Sequence, residues 1–431
     1  MKIALILAKG IAPLDSIASV LEALSARGDE VSIFLLTPSK RQLLRGGEFY
    51  EERLRSAGVR FLDLIDCADL SPLERWIARR AYLNSSRDSA PVTRLERWAK
   101  NFILRRGLVP RVDMEVAFPA GLKSLDPDLI LLDHSSSLPA RQAKEVLKKS
   151  IAGNNNLKVV LLPHAPHHVQ SNCFAPYLQE DRFPGFCDFW MTLESERSWE
   201  ALPDQRERFF YSGYPGMDRN WLDSLRASCR SGEPVRIVYL IRRFLNQGQQ
   251  RGSGDNEFVM DFEEFEVTTR AVLEAVAKLD EDVKLVIKPH PSNDFAVVDR
   301  LVSGWSSMEV EISGEPIYHW ISRSDCMISL YSTAYFPAIA AGIPCIVLPT
   351  EAQEFVESQN ETMSKMYLGL RGRVRSLEQL DDTLQQALND PSFGEQDCDH
   401  LRNFYPDGAV YRSVARIDHL VSERAEHNSM S

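Results

Sequence analysis

The clearest chemical signal in the chain is Lys288-Pro289-His290-Pro291, directly after the apolar run Lys284–Ile287. Such a run reads as a buried strand, so the four residues sit at a strand's carboxyl end. Proline fixes its own φ and pushes the residue before it towards extended backbone. His290 is thereby held in place as a hydrogen-bond donor to an anionic oxygen, and Lys288 adds positive charge. A structural turn carrying a surface histidine is the plainer alternative. A second signal is Ser332 and Thr333, after the run Cys326–Ser329 and before a helix expected from about Ala334. Hydroxyls at a helix start cap it, and the backbone N–H groups and positive helix end there attract phosphate. Capping alone needs one hydroxyl, not two. With Lys288 and His290 expected one strand away, the set suits a monophosphate or diphosphate.

Arg242 and Arg243 close the run Val235–Ile241. Guanidinium groups there clamp phosphate oxygens in pairs, or else form a solvated charge pair. In the first half, Val159–Leu162 runs into Pro163-His164, with His167 and His168 close behind. His164 is placed to act as general base on an acceptor hydroxyl. His167 is an acceptor-side candidate, although it and His168 equally suit a solvated loop. Asp133 and His134 follow the run Leu129–Leu132 and are weaker candidates for acceptor binding. Three histidines near Cys173 raise the question of a metal, but their spacing matches no recognised ligand pattern, so no metal and no cofactor are expected.

The elements that must position these residues alternate strand with helix. Ile3–Leu7, a helical repeat over Leu14–Leu24, a stop at Gly28 and Val31–Leu36 make a strand–helix–strand unit, which implies parallel pairing. Val59–Leu64, Leu129–Leu132, Val159–Leu162 and Phe189–Leu193 continue a doubly wound sheet. Only Gly10 stands in the first turn, so the Gly-rich dinucleotide fingerprint is missing. The turn-rich stretch Gly213–Pro234 marks a boundary. The alternation then repeats: Val235–Ile241, a helix over Phe262–Leu279, Lys284–Lys288, a helix from Tyr318, Cys326–Ser329, a helix from Ala334, and Cys345–Leu348. The expectation is an α/β protein of two Rossmann-like parallel-sheet domains facing a cleft. An acceptor domain would cover residues 1–215 and a nucleotide-binding domain residues 230–420, with a frayed tail at 421–431. Residues 246–256 are nearly devoid of apolar side chains and read as a loop or lid.

Five segments in order carry a family resemblance: VVLLPHAP, SGYPGMD (Ser212–Asp218), LVIKPHP, SDCMISLYSTAYF and FYPDGAVYRSVARI (Phe404–Ile417). Together they resemble the CDP-glycerol glycerophosphotransferases and the wider group of GT-B transferases with an HP motif, including bacterial sialyl- and Kdo-transferases. The resemblance implies a GT-B fold and a CMP- or CDP-linked donor whose phosphate is held by His290, Ser332 and Thr333. It also implies His164 as the base, and a product in capsule-polysaccharide or teichoic-acid-like synthesis. UDP-N-acetylglucosamine 2-epimerases share the fold and the HP turn, but their D-S-G-G signature is absent.

Residues 72–111 stand apart. Ten basic residues face three acidic ones between Glu74 and Arg111, in a chain of net charge -11. Trp76, Leu95, Trp98, Phe102 and Leu108 are interleaved with them. Two amphipathic helices, about Pro72–Leu83 and Val92–Arg106, would suit an anionic membrane surface or an acidic glycan, or would simply expose a solvated basic face. The overall acidity argues against nucleic acid as a partner. Hydrophobic residues at 44%, with 22 Gly and 23 Pro, exclude collagen-like and low-complexity classes. Seven scattered cysteines with no C-x-x-C pair read as reduced thiols, and the short apolar start is no signal core, so a cytoplasmic protein is expected, peripheral at the inner face of the plasma membrane. The combined expectation is a metal-independent transferase. It would move a sugar, sugar acid or polyol phosphate from a cytidine-nucleotide donor to a glycan or lipid-linked glycan. A UDP-N-acetylglucosamine 2-epimerase-like enzyme and a non-catalytic glycan-binding protein are the alternatives.

Overall fold

Short runs of aliphatic residues flanked by turns become parallel strands because both faces of such a sheet are covered. The computed structural model describes residues 1–7, 11, 13–36, 48–81, 101–103, 105–133, 145–149, 157–162, 189–192, 209–226, 234–249, 259–279, 282–290, 293–305, 308–330, 333–350 and 361–429. The chain divides into two units, residues 1–216 with 408–431 and residues 217–407.

The first unit opens with β1 (Lys2–Leu7), α1 (Leu14–Ala26) and β2 (Glu30–Leu35). It continues through α2 (Glu48–Ser56), β3 (Arg60–Asp63), α3 (Pro72–Ala81) and α4 (Met114–Leu125). Four strands follow: β4 (Leu129–Asp133), β5 (Lys158–Leu162), β6 (Phe189–Thr192) and β7 (Phe209–Tyr211). The sheet order is β3-β2-β1-β4-β5-β6-β7, with every pairing parallel. Helix and sheet approach closely at Gly121, where a Cβ would stand 2.8 Å from the ring of Phe34. Phe34 in turn stacks on Phe118, centroids 5.3 Å apart. β7 was not expected from the sequence.

The second unit runs α5 (Arg219–Arg226), β8 (Val235–Leu240), α6 (Phe262–Ala277), β9 (Val283–Lys288), α7 (Phe295–Val302) and β10 (Glu309–Ile312). It is completed by α8 (Ile317–Ile321), β11 (Cys326–Ser329), α9 (Phe336–Ala340), β12 (Cys345–Val347), α10 (Glu361–Leu368), α11 (Leu380–Asn389) and α12 (Phe393–Arg402). Its sheet is also wholly parallel, in the order β10-β9-β8-β11-β12. One core of β8, β9, β11 and β12 side chains with α6, α7 and α11 lies against it. The edge strand β10 was also unexpected. Its Glu309 and Glu311 lie on one face and both reach Lys284 of β9, at 2.8 and 2.9 Å.

One sequence boundary differs from the structure. Residues 408–420 belong with the first unit rather than the second, within a long helix, α13 (Ala409–Ser429). Arg27 forks onto Asp418 with two bonds of 2.6 Å, Arg412 Nε donates to the Ser212 carbonyl at 3.1 Å, and Ile417 and Leu420 are buried. The helix thereby completes the cover of α1.

Candidate functional site

In an open parallel sheet, ligands sit beyond the carboxyl ends of the strands, where the order reverses. In the second unit that switch point lies between β8 and β11. Leu240 pairs with Lys288 on one side and with Ser329 on the other, so β8, β9 and β11 end at the same level. Past their ends the neighbours stay joined: Ile241 N–H donates to the Lys288 carbonyl at 2.9 Å and Leu330 N–H to the Leu240 carbonyl at 3.3 Å. Arg242 and Arg243 leave β8, Lys288 and His290 leave β9, and Thr333 follows β11. These residues therefore share one edge of one sheet. The sequence expectation of adjacent strands needs correction, however. β8 lies between β9 and β11, which puts the carboxyl ends of β9 and β11 about 10 Å apart at ordinary strand spacing, with the Arg242 loop between them. Lys288 and Arg242 are half-buried, whereas His290 and Arg243 are exposed.

A residue that sequence reasoning missed ties two of these loops together. Asn293 is buried; its N–H donates to the His290 carbonyl at 2.9 Å. Its side-chain amide donates to the Arg242 carbonyl at 2.8 Å and accepts from Phe244 N–H at 3.3 Å. Buried backbone polar groups need partners; the Asn293 side chain supplies them to the Arg242–Phe244 loop, while its backbone N–H closes the turn at His290. Beyond Phe244 the chain is pinched shut by Leu245 N–H to the Met260 carbonyl (2.9 Å) and Met260 N–H to the Arg243 carbonyl (3.0 Å). Residues 246–249 begin the predicted lid; residues 250–258 lie outside the described residues. The only hint in the sequence was an Asn three residues after the histidine, a common turn residue.

The Thr333 region departs from expectation in its geometry. No helix begins at Ala334: a 3-10 turn covers Thr333–Tyr335 and α9 starts at Phe336, five residues long. Its N-cap is Tyr335, which makes no side-chain cap bond. The charge of a full helix end is accordingly not available there. The turn is anchored instead by Tyr335 and Phe336, both fully buried and packed with Tyr367. Asp325, the second residue of the segment SDCMISLYSTAYF, works at the opposite edge of the sheet. Its carboxylate accepts from Arg236 N–H at 2.8 Å, and its own N–H donates to the Arg236 carbonyl at 2.9 Å.

In the first unit, Asp133 is the last residue of β4. β4 and β5 are adjacent, and both lie on the switch-point side of β1. His134, His164 and His167, like Ser332, lie outside the described residues.

No protein-family model matches the chain, and no curated protein matches it. Solved structures do. A Listeria monocytogenes protein assigned as a UDP-N-acetylglucosamine 2-epimerase aligns over 98% of this chain and 97% of its own, with TM-score 0.56 and 12% identity. A further UDP-N-acetylglucosamine 2-epimerase aligns over 97% and 95%, with TM-score 0.54 and 14% identity. S. aureus MnaA in complex with UDP aligns over 98% and 97%, with TM-score 0.53 and 11% identity. At these identities the likeness is one of fold. It spans both sheets and agrees with the α/β, GT-B-like class read from the sequence. The resemblance to CDP-glycerol glycerophosphotransferases has no counterpart among family models.

Proposed function

We propose that the chain is a transferase of GT-B type. It takes a sugar, sugar acid or polyol phosphate from a cytidine-nucleotide donor and passes it to a surface-glycan acceptor. The observation that supports the reading is that Arg242, Lys288 and His290 leave the carboxyl ends of the paired strands β8 and β9, beside the switch point between β8 and β11, the edge where a nucleotide's phosphates are ordinarily received. In this reading the acceptor oxygen attacks the anomeric carbon or the phosphorus of the donor, and His164 takes its proton. The nucleotide phosphate leaves with the bonding pair, and His290, Lys288, Arg242 and the Ser332–Thr333 hydroxyls offset its growing negative charge. The guanidinium and imidazole contribute most if their interactions strengthen as that charge develops.

The test is a thermal-shift panel over CMP, CDP, UDP and GDP, since a ligand that binds only the folded state raises the melting temperature. A rise with cytidine nucleotides, lost in His290→Ala together with transfer activity, is the expected result. No response to any cytidine nucleotide sinks the reading. A second reading, epimerisation of UDP-N-acetylglucosamine, is favoured by one observation: the solved structures described above are assigned or named as such epimerases or hold UDP. Incubation with UDP-N-acetylglucosamine and a search for the free epimer separates the two.

A further inference from the structure

The basic excursion of the first unit carries an inference that does not depend on the nucleotide reading. Five of the eight exposed large hydrophobic side chains among the described residues fall in one stretch: Leu73 (67% exposed), Trp76 (50%), Phe102 (44%), Leu108 (49%) and Val116 (64%). Leu73 and Trp76 are three apart on α3 and so share a helical face, while Ala78 of the same helix is fully buried. α3 is held from behind. It packs on the single helical turn Leu64–Cys67, and Arg79 pairs with Asp66 of that turn. α4, which carries Val116, packs on the same turn. Further along, Ile103 is buried, whereas Phe102 is exposed with the Arg106 guanidinium 5.7 Å from its ring. Arg79, Arg105, Arg106 and Arg111 are exposed in the same stretch.

We propose that this stretch, through the Leu73–Trp76 face of α3 and the exposed residues around Phe102, docks on an anionic lipid bilayer. The local sequence is strongly basic in a chain of net charge -11, so acidic headgroups attract this stretch while the acidic remainder of the chain disfavours other contacts. A soluble polyanion would satisfy the arginines but leave Leu73 and Trp76 in water. A bilayer interface accommodates both, with the indole at headgroup depth, the leucine at the acyl boundary and the arginines among the lipid phosphates. No helix among the described residues is long and apolar enough to cross a membrane, so the contact is with the surface.

Sedimentation of the full chain with phosphatidylglycerol/phosphatidylcholine vesicles, and with phosphatidylcholine alone, tests the proposal. Binding to the anionic vesicles only is expected, falling as salt is added. The pair Leu73→Ser/Trp76→Ser and the pair Arg105→Gln/Arg106→Gln should each weaken it on the order of tenfold or more. Val267→Ser, at an exposed site in the second unit, should leave it unchanged. In parallel, bromolipids should quench the wild-type tryptophan emission more strongly than that of Trp76→Phe, which keeps the test intact if a double variant folds poorly. The proposal is overturned by absence from the anionic vesicle pellet or by equal binding of wild type and both pairs. Retention on dextran sulfate that the Leu73/Trp76 pair does not alter, with no vesicle binding, would identify the face as a polyanion site instead.

Discussion

The side-chain amide of Asn293 donates to the backbone carbonyl of Arg242 at 2.8 Å, across two loops that leave neighbouring strands. The same side chain accepts from Phe244 N–H, and its backbone N–H closes on the His290 carbonyl. The spacing between Arg242 and His290 is thus set by a third residue that need not touch a ligand itself. Asn293→Ala removes a bond from the Arg242 carbonyl and strands the buried Phe244 N–H, a cost of about 1–3 kcal/mol in stability. Under the proposed reading it also weakens nucleotide affinity by loosening both loops. Chemical denaturation gives the first number and isothermal titration with cytidine nucleotides the second. Loss of stability with unchanged affinity would make Asn293 a structural residue only.

His290 lends itself to a cleaner separation because it is exposed. His290→Ala should change stability by no more than about 0.5 kcal/mol, as surface substitutions do, yet abolish the nucleotide-dependent rise in melting temperature. Arg242→Lys keeps the charge and loses the paired geometry, so it should reduce affinity while preserving some response. Unaltered nucleotide binding in both variants would place the phosphate site elsewhere.

The strands that define these loops were legible because their sequences are nearly continuous aliphatic runs, as in β1, where five of six residues are buried. The strand-end position of His290 followed directly from the run before it. Lateral order was not legible. That β8 separates β9 from β11 is decided by which crossover passes over which, not by any local pattern. β10 was missed because its Glu-Val-Glu-Ile reads as polar; its two carboxylates make sense only once Lys284 of β9 lies beside them. Asn293 failed for the same reason, since its partners at positions 242 and 244 are distant in sequence. The helix expected at Ala334 begins two residues later, at Phe336, because Thr333–Tyr335 first close a 3-10 turn that buries Tyr335.

Asp397 predicts a pH dependence. It is buried on α12, accepting from Arg371 N–H at 2.7 Å and Gly372 N–H at 3.3 Å. Burial raises its pKa above the usual carboxylate range, and the two N–H groups and the charge of Arg371 only partly offset this. The folded chain therefore holds this proton more tightly than the unfolded chain, so the group's contribution to stability falls as pH rises from the ordinary carboxylate range through the raised value. Asp397→Asn removes the titration. The stability difference between wild type and variant should move in favour of wild type as pH is lowered from neutral into that window. Urea titrations at a series of pH values measure it, and a difference that is flat with pH contradicts the assignment.

The last helix offers the sharpest test of how the first unit is built. Had residues 408–420 belonged to the second domain, ending the chain after Asp407 would leave the first sheet intact. In the structure that truncation removes Ile417 and Leu420, both buried, and the Arg412 bond to Ser212. It also removes Asp418, the partner of Arg27 on the turn after α1. Two buried aliphatic side chains alone account for about 3–6 kcal/mol at the usual worth of such burial, and the uncovered face of α1 adds to the loss. A chain ending at Asp407 should therefore melt much lower or aggregate. Gly213→Ala is the point-mutation form of the same test. Gly213 has φ +74°, and a Cβ there would lie 2.5 Å from the Arg412 guanidinium, so the substitution strains the backbone and dislodges the arginine together. A cost of about 1–3 kcal/mol is expected from the backbone alone. Arg412→Ala breaks the same contact without the strain and should cost less. If Gly213→Ala melts with wild type, the helix is not fastened to the first unit at this point.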